Sequence, residues 1–373
     1  MTRRLVRIPI LALLFSAALL ALPGAAPAHL PSTGATRATE LHGTVERTRV
    51  FQLPRPATHL AVHWPGHPNA AVTVSLSSDG ASFGPWHAVQ LDELGMARPG
   101  DETYGAVMLA HGAEAVRVRS GVPLPHLSVL DLTDREEARS GGPASAPVPT
   151  GSFATTSTTS AVAQPSVIPR SGWGADESLR FDSNDNEIWP PQFWPVQKLI
   201  LHHTATQSND PDPPATIRSI YYYHAITQGW GDIGYNFLID EAGNIYEGRY
   251  SRPYASGESP TGQDLTGNGV TGAHAQGYNS GTVGIALLGT LTNQDATPAA
   301  RDALGRLLAW EADEHGLDPM GSTLYTNPVN GTQATFPNIA GHRDVAATEC
   351  PGDVFYATLP AIRSDVAARI AAA

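Results

Sequence analysis

Between Glu136 and Ser166 the chain is mostly Ser, Thr, Ala, Pro and Gly, with few large apolar side chains. Such a stretch buries too little surface to offset the entropy of ordering it. It reads as a disordered linker at 136–166, and it splits the chain into two folding regions. With 373 residues in all, each side is long enough to bury its own core.

A second boundary lies at the start. Arg3, Arg4 and Arg7 precede an apolar run, Ile8–Leu22, and Ala26-Pro27-Ala28 places small residues where a signal peptidase cuts. The run falls short of the roughly 20 residues that span a bilayer. Met1–Ala28 (1–28) is therefore expected to be a cleaved signal peptide, and the protein secreted, extracellular or in the cell wall, with no stable membrane insertion. The formal charge is −12, and the first 28 residues contribute three arginines and no acid, so the rest carries more negative charge still. That excludes the basic footprint of nucleic-acid binding and gives no attraction to anionic lipid.

The region 39–132 contains short alternating runs rich in Val, Leu and Thr: Arg49–Leu53, Leu60–Trp64, Ala71–Leu76, Ala106–Leu109, Ala115–Val118 and Leu127–Leu130. Turn sequences separate them, and the spacing predicts an all-β sandwich. Its histidines, His59, His63, His67 and His87, lack ligand spacing. The region 167–373 reads as α/β. Val196–Leu201, Asn236–Asp240, Asn244–Glu247 and Thr282–Leu288 suit strands, while Pro214–Thr227, Thr297–His315 and Val354–Ala372 suit helices.

Two clusters there carry chemistry. The apolar strand ends in Leu201-His202-His203-Thr204, and Gly341-His342-Arg343-Asp344 is followed by Thr348-Glu349-Cys350-Pro351-Gly352. Cys350 is the single cysteine, so it has no partner for an internal disulfide. A catalytic zinc takes three protein ligands from imidazole and thiolate and keeps one open position. One histidine of the pair with His342 and Cys350 makes that set. Adjacent strand residues face opposite ways, so His202 and His203 cannot both reach the metal, and periodicity does not choose between them.

From Trp173-Gly174-Ala175 onward the chain resembles the peptidoglycan recognition protein and type-2 N-acetylmuramoyl-L-alanine amidase family. The pieces, in order, are Leu201-His202-His203-Thr204, Gly234-Tyr235-Asn236-Phe237, Ala273-His274-Ala275-Gln276-Gly277-Tyr278-Asn279, Val283-Gly284-Ile285 and the His342–Cys350 segment. The resemblance does not reach the β-rich region. It implies a mixed β-sheet flanked by helices, and Zn²⁺ held by His202, His342 and Cys350. It further implies Tyr235 and Thr348 as catalytic residues, and His274, Tyr278, Asn279 and His203 along the substrate groove. The activity implied is hydrolysis of the lactyl–L-Ala amide bond of bacterial peptidoglycan by a monomeric hydrolase. The family's non-catalytic binders of muramyl peptide lack the cysteine ligand. A recognition module is thus the alternative, and Cys350 puts this chain on the enzyme side. Arg343 and Asp344 are expected to fix the loop between the ligands, as a mutual ion pair or as support for the ligands.

Overall fold

The computed structural model describes residues 34–67, 69–92, 102–136, 161–255 and 257–373. The segment 1–28 and residues 137–160 of the linker lie outside them.

The β-rich region contains β1 (Gly34–Val45), β2 (Thr48–Pro65), β3 (Val72–Ser77), β4 (His87–Ala88), β5 (Glu102–Tyr104), β6 (Met108–Ser120) and β7 (Leu124–Glu136). They form an antiparallel hydrogen-bonded network in the order β1-β7-β2-β6-β3-β4, with β5 on β2. Two expected strands, Arg49–Leu53 and Leu60–Trp64, are one strand here. Pro54 and Pro56 lie between Gln52 and Ala57, where the register against β6 shifts. A proline there gives up no ladder bond, so the strand runs on through both prolines. On the other side of the shift, His111 and Gly112 take positive φ within β6. The two faces of this network follow the period of two. Leu60, Val62, Trp64, Leu127 and Val129 turn into one core. Ala61, Leu130 and Leu132 turn the other way, with Val107, into a cluster shared with the second region.

The second region runs α1 (Arg170–Trp173), β8 (Phe193–Trp194), β9 (Lys198–His203), α2 (Pro213–Tyr222), β10 (Phe237–Ile239), β11 (Ile245–Glu247), β12 (Gly269–Val270), β13 (Thr282–Leu287), α3 (Pro298–Glu314), β14 (Ser322–Thr326), β15 (Gln333–Pro337), β16 (Ile339–Gly341), α4 (Asp353–Tyr356) and α5 (Leu359–Ala371). Its main sheet is mixed, in the order β11-β10-β13-β9-β16. β13 and β16 both run parallel to β9. The strand-and-helix character read from the sequence is therefore observed.

Asp212 caps α2 by accepting from the Ala215 N–H, and Thr297 caps α3 by accepting from Ala300. Prolines stand in the first turn of each, where no N–H is needed. Leu304, Leu307 and Leu308 of α3 are fully buried against one face of the sheet, each worth about 1.5–3 kcal/mol. The helix expected over Val354–Ala372 is two helices. Pro360 sits in the first turn of α5, so a fresh start there costs nothing while a continuous helix would clash. Beyond its last residue α2 widens into a π-helical turn, Tyr223–Thr227. Among the described residues no helix is long and apolar enough to cross a membrane.

The linker separates the two regions in sequence but not in space. Ala61, Val107, Leu130 and Leu132 pack with Ile217, Ile220 and Tyr223 of α2 and the turn after it. His59 Nε2 lies 2.8 Å from Thr216 Oγ1, and Arg218 Nε donates to Asp134 Oδ1 at 3.0 Å.

Candidate metal centre

Parallel pairing of β16 with β9 aligns Gly341 with Leu201. His202 and His342 are the next residues along, so the ladder brings two imidazoles together across a long sequence interval. Their ring centroids lie 4.6 Å apart. The chain then turns back to Cys350. His202, His342 and Cys350 each bring one ligand atom within 4.8 Å of the others, and all three are buried.

The loop that returns Cys350 is fastened at several points. The Arg343 N–H and Nε donate to the Cys350 carbonyl at 3.1 and 3.3 Å, and Arg343 NH1 reaches Asp353 at 2.7 Å. Asp344 accepts from the Gly341 N–H at 2.8 Å and from the Tyr356 hydroxyl. Arg343 and Asp344 thus pin the loop to separate partners rather than to each other, which excludes the mutual ion pair. Thr348 Oγ1 accepts from the Cys350 N–H at 2.9 Å.

The hydrogen bonds beneath His202 fix its tautomer. Thr282 Oγ1 donates to the Tyr278 carbonyl at 2.6 Å, so toward His274 Nε2, at 3.3 Å, it is the acceptor. His274 therefore carries its proton on Nε2 and accepts through Nδ1. Across 3.1 Å stands His202 Nε2, which must be the donor. His202 Nδ1 is left with its lone pair, the form a metal needs. That atom lies 3.7 Å from Cys350 Sγ, near the spacing of about 3.5 Å implied by tetrahedral zinc–sulfur and zinc–nitrogen bonds. His342 Nδ1 is buried without a hydrogen-bond partner. An orphaned imidazole nitrogen beside a thiol and a second lone pair fits a thiophilic, imidazole-binding metal such as zinc.

Burial pushes the His202 imidazole well below its ordinary value, and His342, His274 and His203 add to this. Burial likewise lowers His342 to about 4, although Asp92 opposes it. His203 and His274 are pushed down to about 4 and about 3, burial leading in both. All four rings are neutral at neutral pH, as ligands and their supports must be.

His274 is fully buried under His202. Gly284 makes room for it: a Cβ there would stand 2.2 Å from His274 Cγ. Asn279 Oδ1 accepts from the His274 and Ala275 N–H groups at 2.8 and 2.7 Å. Tyr278 is half-buried and packs its ring on Tyr325 and Phe336. These two residues hold the loop that carries His274. His203 Nδ1 accepts from the Leu291 N–H at 3.1 Å, and His203 borders the same cavity as Tyr235, His342 and Cys350. Trp173 is core, its indole N–H donating to the Glu247 carbonyl at 2.8 Å.

Tyr235 lines the cavity over His342 and Cys350, its ring centroid 5.6 Å from that of His202. Its carbonyl accepts from the Arg249 N–H at 2.7 Å. Arg249 NH1 in turn bonds Asp232 at 2.7 Å, and Arg170 NH1 reaches the other Asp232 oxygen at 3.0 Å. Burial raises the Asp232 carboxyl, but the two guanidiniums outweigh it and hold the group below its ordinary value. A fully buried charge network thus underlies the strand that presents Tyr235.

Sequence reasoning missed Asp92, which lines the cavity over His342 and Cys350, and His224, which lines a second cavity with Asp92 and Tyr235. His224, in the π-helical turn, accepts from the Gly234 N–H through Nδ1 at 3.2 Å, so its proton is on Nε2. It donates to Asp92 Oδ2 at 3.0 Å. Asp92 belongs to the β-rich region, where no motif pointed to the site.

Comparison with known proteins bears on the same segment. The family described as N-acetylmuramoyl-L-alanine amidase matches residues 192–353. Peptidoglycan-recognition protein SC2 of Drosophila melanogaster is 32% identical over 188 residues, 50% of this chain and 80% of that protein. The N-acetylmuramoyl-L-alanine amidase of Homo sapiens is 31% identical over 200 residues, 52% of this chain and 27% of that protein. Among solved structures, Drosophila PGRP-LB is 28% identical with a TM-score of 0.36, covering 52% of this chain and 91% of its own. Peptidoglycan recognition protein-LE in complex with tracheal cytotoxin is 28% identical with a TM-score of 0.37, covering 52% and 93%. By its second region, the chain belongs to the family of peptidoglycan-recognition proteins and N-acetylmuramoyl-L-alanine amidases.

Proposed function

We propose that this protein is a secreted, zinc-dependent N-acetylmuramoyl-L-alanine amidase that hydrolyses the lactyl–L-Ala amide bond of peptidoglycan. The observation that carries the reading is the meeting of His202, His342 and Cys350 within 4.8 Å, in a chain of this family. The signal-like segment Met1–Ala28 supports export.

His202 through Nδ1, His342 through Nδ1 and Cys350 through Sγ would hold the zinc. When bound, it supplies Lewis acidity to the scissile carbonyl and acidifies a water. The chain's own residues do the rest. His274 keeps His202 in the ligating tautomer. Tyr235 gives its phenolic proton as a hydrogen bond to the carbonyl oxygen while charge gathers there. Thr348 already accepts from the Cys350 N–H, so its own hydroxyl proton remains to serve the same oxygen. Water adds to the carbonyl carbon, a proton of that water passes to the nitrogen, and the C–N bond breaks to leave the lactyl carboxyl group and the amine of L-alanine.

The test is mass spectrometry of the products from purified peptidoglycan, with zinc-loaded protein beside Cys350→Ser. Free stem peptides beginning at L-alanine, absent with the variant, are the expected result. Binding of muramyl peptide with no bond cut would replace the enzyme by a recognition module.

A further inference from the structure

The site described above is closed from outside by the other region of the same chain. Leu91 and Asp92 stand over Tyr235, His342 and Cys350 and leave room for about one water molecule. His202, His342, Cys350 and Tyr235 are at most 4% exposed. A pocket that takes even a drug-sized ligand measures roughly 300–1,000 Å³, and a muramyl peptide is no smaller than such a ligand. The space over the ligand set does not hold its amide carbonyl and flanking groups while Leu91 and Asp92 stay where they are.

Both ends of this cover are fixed. Leu91 bridges Gly105 and the Asp92 N–H donates to the Tyr104 carbonyl at 2.9 Å, which ties the segment to its own sheet. On the far side Asp92 Oδ2 accepts from His224 Nε2 at 3.0 Å and from Gln228 Nε2 at 2.8 Å. Around it the sheet face covers α2. Tyr104 meets Tyr223 edge-on at 5.9 Å, and Arg218 pairs with Asp134. Ile220 and His224 border the same space as Tyr235, so the helix that walls the site is the one under the sheet.

We infer that the β-rich region is an internal inhibitor of the metal site, with Leu91 and Asp92 occupying the place of the substrate, and that the enzyme turns over only when this face lifts from α2. The inference rests on the amidase reading for what the blocked ligand is. The face joins apolar side chains, Ala61, Val107, Leu130 and Leu132 against Ile217, Ile220 and Tyr223, with polar anchors, Asp92, the His59–Thr216 pair and the Arg218–Asp134 ion pair, which substitution can weaken one at a time.

The experiment uses the full chain with Asp92→Ala, Asp134→Ala and the double variant. Two rates are read. One is alkylation of Cys350, the single cysteine, by iodoacetamide in the metal-free protein. The other is stem-peptide release from a soluble disaccharide-peptide by the zinc-loaded protein. Release of the cover predicts at least a tenfold rise in both, largest for the double variant. Asp134 is remote from the ligands, so its effect separates opening from a local change at the metal. If the wild type cleaves as fast as the variants, the inhibitor is overturned and the amidase stands. If the variants cleave more slowly with Cys350 labelling unchanged, Asp92 serves turnover and the inference is again overturned. If labelling rises but no form cleaves, the cover is upheld and the amidase reading fails.

Discussion

His274 Nδ1 accepts the Nε2 proton of His202 across 3.1 Å, from a position with no exposure to solvent. The contact decides which nitrogen of His202 is available to a metal. His274→Ala removes the acceptor and frees the His202 ring to turn or to change tautomer. Zinc affinity is expected to fall about 10- to 100-fold, the usual cost of losing such a partner. Competition with a chromophoric chelator measures it, and an unchanged dissociation constant would show that the tautomer is set elsewhere.

Tyr235→Phe keeps the ring that packs near His202 and removes only the hydroxyl. Zinc content should stay at that of the wild type, while kcat falls by about 10²-fold, as for a lost hydrogen bond to a developing oxyanion. Metal analysis beside product-release kinetics separates the two effects. Loss of zinc in this variant would instead assign Tyr235 to the architecture of the centre.

Asp232 is the shared partner of Arg170 and Arg249, all three buried. Asp232→Ala leaves two guanidiniums without their carboxylate, and a broken buried pair costs about 3–5 kcal/mol. A drop of that size in chemical denaturation is expected, with activity falling further because Arg249 holds the Tyr235 carbonyl. A loss under about 1 kcal/mol would mean that water or neighbouring carbonyls satisfy the two arginines.

Glu247 is buried beside α1, with Oε2 accepting from the Arg170 N–H at 3.1 Å. Burial pushes its carboxyl up from 4.5 to about 7, against the pull of Arg170. The folded state therefore keeps this proton to higher pH than the unfolded chain. Its contribution is fully present below about pH 4.5 and is lost as pH rises through about 7, on the order of 3 kcal/mol in all. Glu247→Gln should abolish that slope, and thermal unfolding of both proteins from pH 4.5 to 8 would reveal it. Parallel curves would place the Glu247 titration in its ordinary range.

The ligand residues were legible because each lies in a short local pattern, the histidine pair at a strand end and the His342–Cys350 loop. Choosing His202 over His203 needed the family resemblance, since both strand faces are equally apolar. The depth of His274 was not legible. It depends on the missing side chain of Gly284, a neighbour only after β13 has docked. Asp92 had no local mark at all, because its partners, His224 and Gln228, lie in and just after the turn that follows α2, more than a hundred residues on. The joining of Arg49–Leu53 and Leu60–Trp64 into β2 was not legible for a related reason: a strand tolerates Pro54 and Pro56 where its ladder is already interrupted, and that depends on the partner strand.

The alignment of β16 with β9 has a temporal consequence. One imidazole is encoded near the middle of the chain and the remaining donors close to its end. A nascent chain that has not yet delivered Cys350 lacks the third donor of this set, so a metal taken there would be held by fewer side chains and would exchange more freely. Capture by the full set would wait until the final strand of the mixed sheet takes its place, and zinc bound there would record that this sheet has been finished.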